Sequence, residues 1–204
     1  MCYHTKQSKD IKPLEERFAA TLTYHNFVSS VRYNGFTHPE TPIICNDKMH
    51  AIQLYIWGLI PFWAKDQSFR KNTLNAKIET ITELPSFRNA VKNRCLILVD
   101  GFYEWKWLDP KGKEKQQYLI TLPNDEPYAI GGIFSEWTDK QTGEIIKSYA
   151  MVTTEANELM AEIHNTKKRM PLILTPENEK LWLDASVSPD VFKTCEVDLL
   201  AREV

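Results

Sequence analysis

Four side chains of this sequence could do useful chemistry if the fold brings them together: Cys2, Asn75, Glu104 and His164. Cys2 directly follows the initiator methionine and is small enough for that methionine to be removed. Removal leaves an α-amine and a thiol on one residue, titrating near about 8 and about 8.5. Such a 1,2-aminothiol condenses with an aldehyde to an iminium, and the sulfur then closes onto it as a five-membered thiazolidine. No internal cysteine can do this. By position alone, Cys2 is equally an ordinary residue of a frayed terminus, and it is expected to be exposed.

Glu104 stands among Phe102, Tyr103, Trp105 and Trp107. Partial desolvation there should raise its pKa and suit it to proton transfer near neutrality. A glutamate at a strand end with its head in water fits the local sequence equally well. His164 falls at the end of an expected helix, whose dipole favours the imidazolium and hence a proton donor. With Lys167, Lys168 and Arg169 beside it, a surface helix cap is the commoner explanation. Asn75 taken alone reads as a turn residue. No one of the four decides the matter.

The elements expected to position them are short. Residues 13–21 read as a helix with Pro13 in its first turn. Residues 26–36 read as a strand ending in an Asn-Gly turn, and Pro42–Cys45 as another. Residues 49–60 alternate, with Ile52, Leu54 and Ile56 on one face and Gln53, Tyr55 and Trp57 on the other. Asn75 to Thr80 is expected to be irregular and 86–92 helical. Residues 94–107 read as one strand running into Glu104, followed by strands at 117–122, 128–137 and 145–153, the last two joined by a hairpin near Gly143. Thr154 is the expected cap of the helix carrying His164. A strand at 169–174, helices near 176–183 and 188–195 and a strand near 196–200 complete the chain. This pattern predicts a single α+β domain over residues 2–204, with a curved, barrel-like, mainly antiparallel β core and peripheral short helices.

With 204 residues, 43% of them hydrophobic, the chain is long enough for a sizeable core. Its net charge of −2 does not advertise a nucleic-acid binder, although a local basic groove is compatible with that total. Cys45 and Cys95 lie in apolar runs and read as buried reduced thiols; Cys195 has no partner spacing. No signal peptide or long apolar span is evident, so a cytoplasmic protein is expected, associated with the nucleoid when on DNA. The five histidines lack ligand spacing, so neither a metal nor a cofactor is expected.

The decisive feature is a series of segments in fixed order: Met1-Cys2, Trp57-Gly58-Leu59-Ile60-Pro61-x-Trp63, Asn75-Ala76-Lys77-x-Glu79-Thr80, Arg94-Cys95-Leu96, Asp100-Gly101-Phe102-Tyr103-Glu104-Trp105, and Ile163-His164 to Arg169-Met170-Pro171. Together they closely resemble the SRAP (SOS response-associated peptidase) family, the abasic-site processing proteins, over residues 2 to about 183. The resemblance implies a β-barrel-like α+β domain with a basic channel for single-stranded DNA containing abasic sites. It implies a covalent thiazolidine crosslink from the N-terminal cysteine to the ring-opened abasic sugar, with associated lyase activity in the DNA damage response. Carried over, Cys2 is the nucleophile, Asn75 positions the adduct, and Glu104 and His164 handle protons.

Candidate phosphate contacts are Lys77, Arg70, Arg88 and Arg169; Trp63 or Phe62 could stack on a base. Trp57 and Trp105 are assigned to the core. The sequence departs from the family pattern twice. Where most members follow the cysteine with Gly-Arg, this chain has Tyr3-His4, leaving His4 as a hydrogen-bond donor there. The usual His-x-Arg-Met-Pro is stretched by three residues, which offers Lys167 or Lys168 to the phosphate. A monomer is expected. Two other readings stand beside this one: an N-terminal-nucleophile cysteine hydrolase, with Asn75 in an oxyanion hole, and a non-enzymatic single-stranded DNA-binding module.

Overall fold

The computed structural model describes residues 2–23, 27–193 and 197–204. Met1, the start of the strand expected at residue 26, and Cys195 lie outside these residues. The chain runs β1 (His4–Gln7), α1 (Ile11–Phe18), β2 (Thr21–Leu22), β3 (Ser30–Asn34), β4 (Glu40–Cys45), β5 (Ala51–Trp57), β6 (Asn75–Lys77), β7 (Arg94–Val99) and β8 (Gly101–Trp107). It continues with β9 (Lys115–Thr121), β10 (Tyr128–Thr138), β11 (Ile145–Glu155), α2 (Glu158–Ile163), β12 (Arg169–Pro171), β13 (Ile173–Leu174), α3 (Pro176–Leu183) and β14 (Leu200–Glu203).

Strands β11, β10, β7, β4 and β5 pair in that order, and β5 pairs again with β11 in parallel through Ile56–Ser148 and Trp57–Tyr149. A five-stranded mixed barrel is thereby closed, and closure leaves no open edge along that circuit. β7 is buried along its whole length, which its apolar run Cys95–Val99 requires of a strand covered on both faces. At Gly132 in β10 a Cβ would come within 2.8 Å of the Cys95 sulfur, so only glycine permits this approach. Cys45 and Cys95 are register partners on β4 and β7, buried and free. In β5 the residues turned into the core are Gln53, Tyr55 and Trp57, together with Ile52, whereas Leu54 and Ile56 are only partly buried.

A second sheet runs β14-β9-β8-β1-β3. The chain passes from the barrel into it at Asp100, between β7 and β8. Asp100 is fully buried, with its carboxylate taking the Lys6 ammonium, the Ser8 amide at 2.9 Å and the Ser8 hydroxyl at 2.6 Å. Burial alone would raise its pKa, but these donors prevail and hold it below the usual carboxylate range. The result fixes β1 against the strand that carries Glu104. Among the described residues no helix is long and apolar enough to cross a membrane.

Four local expectations are corrected. Asn75–Lys77 is a strand, held by parallel pairing with Met151–Thr153. Residues 86–92 form successive turns rather than a helix, with amides reaching three residues back, as Phe87 N to Leu84 O and Ala90 N to Phe87 O. Residues 94–107 are two strands broken at Asp100, because they serve different sheets. Thr154 lies inside β11, and the cap of α2 is Asn157, whose side chain accepts from the Met160 amide at 2.9 Å.

Candidate active site

The site is assembled from four elements. β1 brings the first residues of the chain between β3 and β8, with His4 opposite Tyr103 and Thr5 opposite Phe102. Cys2 is therefore not exposed, as its terminal position suggested, but fully buried in a cluster with Trp57, Phe102, Tyr149, Met160 and Ile163. Burial raises its thiol pKa, and the nearby Glu104 carboxylate raises it further, so the sulfur keeps its proton. Its Sγ lies 3.4 Å from the His4 carbonyl, the direction in which the S–H donates.

Asn75 sits at the start of β6 and donates through Nδ2 to the Cys2 carbonyl at 2.9 Å. Its position is fixed from behind. The preceding Leu74 carbonyl accepts from both the Trp57 indole at 2.9 Å and the Met151 amide at 3.0 Å. Asn75 Oδ1 is buried and has no hydrogen-bond partner among the described residues. A buried amide oxygen without a partner is destabilising by about 1–3 kcal/mol, so it marks a place where a donor is missing.

Glu104 lies on β8 and is 4% exposed. Desolvation raises its pKa to about 7, the direction its aromatic neighbours led us to expect, opposed in part by a hydrogen bond from the Trp105 backbone. His164 terminates α2 and is also buried, with Nδ1 2.8 Å from the Arg169 carbonyl. Its pKa is lowered, chiefly by burial, with the Lys167 and Arg169 charges adding to the shift and the bond to Arg169 opposing it. The helix-dipole expectation of an imidazolium is thus overturned: α2 has only six residues, and desolvation outweighs its carbonyls.

Glu104 and His164 share a cavity of about 250 Å³, lined also by Tyr3, His4, Trp105, Trp107, Lys115, Thr166 and Lys167. Trp105 is accordingly a wall of this cavity rather than a core residue; its ring meets His4 edge-on at 5.0 Å. His4 is half-buried and its pKa is lowered by burial and by Arg32, so it faces the cavity as a neutral ring. Tyr3, Trp107, Lys115 and Thr166 had escaped the sequence reading. Lys115 lies in a polar hairpin run (Lys111 to Gln117) without any distinguishing signal, and only the β8–β9 register brings it here.

The expected DNA contacts are dispersed. Lys77 is exposed at the end of β6, and Arg88 is exposed in the turn segment. Arg70 is half-buried, its Nη1 3.5 Å from Gln67 Oε1. Arg169 is buried. Its guanidinium donates to both Glu79 oxygens at 2.6 and 2.9 Å and to the Thr153 carbonyl at 2.7 Å. Phe62 and Trp63 are 64% and 43% exposed and line a different cavity of about 480 Å³, with Asn46, Asn89 and Asn93.

The family model described as SOS response associated peptidase (SRAP) matches residues 1–200. A Bacillus subtilis relative named abasic site processing protein YoqW is 44% identical over 140 residues, 68% of this chain and 60% of that protein. Abasic site processing protein HMCES of Gallus gallus is 30% identical over 157 residues, 65% of this chain and 45% of that protein. The chain thus matches 60% or less of the length of these two relatives. A crystal structure of a Bacteroides thetaiotaomicron protein superposes with a TM-score of 0.90 at 32% identity, covering all of this chain and 92% of that one.

Proposed function

The chain belongs to the SOS response associated peptidase family, and from that premise we propose that it processes abasic sites in single-stranded DNA by a covalent crosslink. Residues 2–204 act as one domain and as a monomer, in the cytoplasm. The observation that carries the reading is the convergence of Cys2, Asn75, Glu104 and His164 at the beginning of β1. The cavity's size agrees with it. At about 250 Å³ it lies below the about 300 Å³ at which pockets for drug-sized ligands begin, and suits a sugar that has lost its base.

Removal of Met1 gives Cys2 the free amine. An abasic sugar is mostly a closed hemiacetal, and protonated Glu104 assists its opening. The amine adds to C1′, and the Glu104 proton leaves with the hydroxyl as water, forming an iminium. The thiol then adds to the same carbon and returns its proton to Glu104, so that the net change is one thiazolidine formed and one water released. A protonated thiol makes the amine the first nucleophile and sulfur the second. Asn75 holds the Cys2 carbonyl, and its Oδ1 takes a donor of the sugar or amine. With Nδ1 donating to Arg169, neutral His164 is the base that removes the C2′ proton from the iminium, expelling the 3′ phosphate by β-elimination.

Incubation with an abasic oligonucleotide followed by intact-mass measurement tests this. Wild type should lack Met1 and gain the oligonucleotide mass less one water, and Cys2→Ala should gain nothing. A retained Met1, or an equal adduct in Cys2→Ala, would overturn the reading. Amide turnover without an adduct would instead favour a peptidase, a course that the buried thiol does not support.

A further inference from the structure

The mechanism above uses the inner half of the 250 Å³ cavity and leaves its outer half unassigned. There Lys115 and Lys167 stand at the rim, on two elements that are braced against each other. Trp107 and Lys115 are register partners at the end of the β8–β9 hairpin, and the Lys115 ammonium lies 5.0 Å from the Trp107 ring centroid. The turn that carries Lys167 is tied to the same tryptophan from the other side. Asn165 accepts from the Trp107 amide at 3.2 Å and donates to the Trp107 carbonyl at 2.9 Å, so that a side chain replaces a strand neighbour. Lys106 and Glu162 add an ion pair at 2.6 Å across the same joint.

The turn closes on itself as well. The Lys168 amide returns to the His164 carbonyl at 2.9 Å, and Lys168 takes a left-handed φ of 48°. Among the described residues neither Lys115 nor Lys167 has a carboxylate partner within ion-pair distance. Glu104 is the one acid lining the cavity, and it lies at the inner end. Two cations without counter-ions, held on rigid supports at the mouth of a sugar-sized cavity, present a place for an anion bonded to that sugar.

We propose that Lys115 and Lys167 form a clamp for one phosphate flanking the reacting sugar, held in register with Glu104 and His164 by the Asn165–Trp107 bridge. This deepens the crosslinking proposal and rests on it for the identity of the sugar. The clamp fixes which way the strand lies across the site, because only one flank of the sugar can reach it.

The test measures binding separately from chemistry. Fluorescence anisotropy with a single-stranded oligonucleotide carrying a tetrahydrofuran abasic analogue, which has no aldehyde, reports the clamp alone. Lys115→Gln/Lys167→Gln should flatten the slope of log K against log[salt] by about 1.4, about 0.7 for each phosphate charge lost on a single strand. A neutral methylphosphonate placed 5′ or 3′ of the analogue should weaken wild type at one flank only, and should have no effect at either flank on the double variant. Asn165→Ala, which keeps both lysines, should weaken binding severalfold through the same flank. An unchanged salt slope, or equal methylphosphonate sensitivity in wild type and double variant, would overturn the clamp. Failure of the crosslinking proposal would appear separately, as a natural abasic oligonucleotide that binds but forms no adduct.

Discussion

Glu104 holds its proton to about pH 7 because burial disfavours the carboxylate, and this has consequences for both rate and stability. Adduct formation needs a neutral amine and a protonated Glu104. Its rate should therefore be bell-shaped, with a maximum near about pH 7.5 set by the amine near about 8 and by Glu104. Glu104→Gln should remove the falling limb and slow crosslinking at least tenfold, while leaving DNA affinity nearly unchanged; quenched time courses from pH 6 to 9 read both. The folded pKa lies above the unfolded value, so the native state binds the extra proton, and stability falls as pH rises from about 4.5 through about 7. Glu104→Gln should accordingly be more stable than wild type at pH 8, by about 1–3 kcal/mol, and no different at pH 4. Thermal melts at the two pH values check the sign.

His164, β12 and β6 form one mechanical unit through Arg169. Its backbone carbonyl meets His164 Nδ1, and its side chain grips Glu79, two residues beyond β6. Burial would raise the Glu79 pKa, but the bond from Arg169 prevails and holds it below the usual range. Glu79→Ala leaves a buried guanidinium without its carboxylate. It should lose roughly 2–3 kcal/mol in urea melts, less than for a fully buried pair because Glu79 is 32% exposed at the side chain. Strand scission should fall further than crosslinking, since His164 loses its anchor and Cys2 does not. At this scale the sequence was partly legible. The β10–β11 hairpin followed from alternation and the Thr142-Gly143 turn, and α3 from Thr175 followed by Pro176. β6 was not legible, because three residues carry no periodicity and only β11 makes them a strand. The four chemical residues were recognisable through their order in the chain. That Cys2 is buried and His164 neutral was not, because both follow from desolvation by elements distant in sequence.

At the scale of the molecule, closure of the barrel sets the geometry of the site. Trp57 ends β5 at the parallel seam with β11, stacks on Tyr149 at 6.3 Å between ring centroids, and holds the Leu74 carbonyl. Trp57→Leu should cost about 3 kcal/mol and slow crosslinking although it touches no substrate atom, because it releases the backbone that aims Asn75. Denaturant melts and adduct time courses on the folded fraction separate the two effects. The position of β1 bears on what happens after the reaction. The strand next to Cys2 lies inside its sheet, between β3 and β8, with Lys6 and Ser8 anchored on buried Asp100. A protein so attached to DNA has no loose leader by which to be peeled away. Its lifetime on the lesion is governed by the slow global unfolding of the domain, and degradation that enters from the far end consumes the barrel first and leaves a short peptide on the strand.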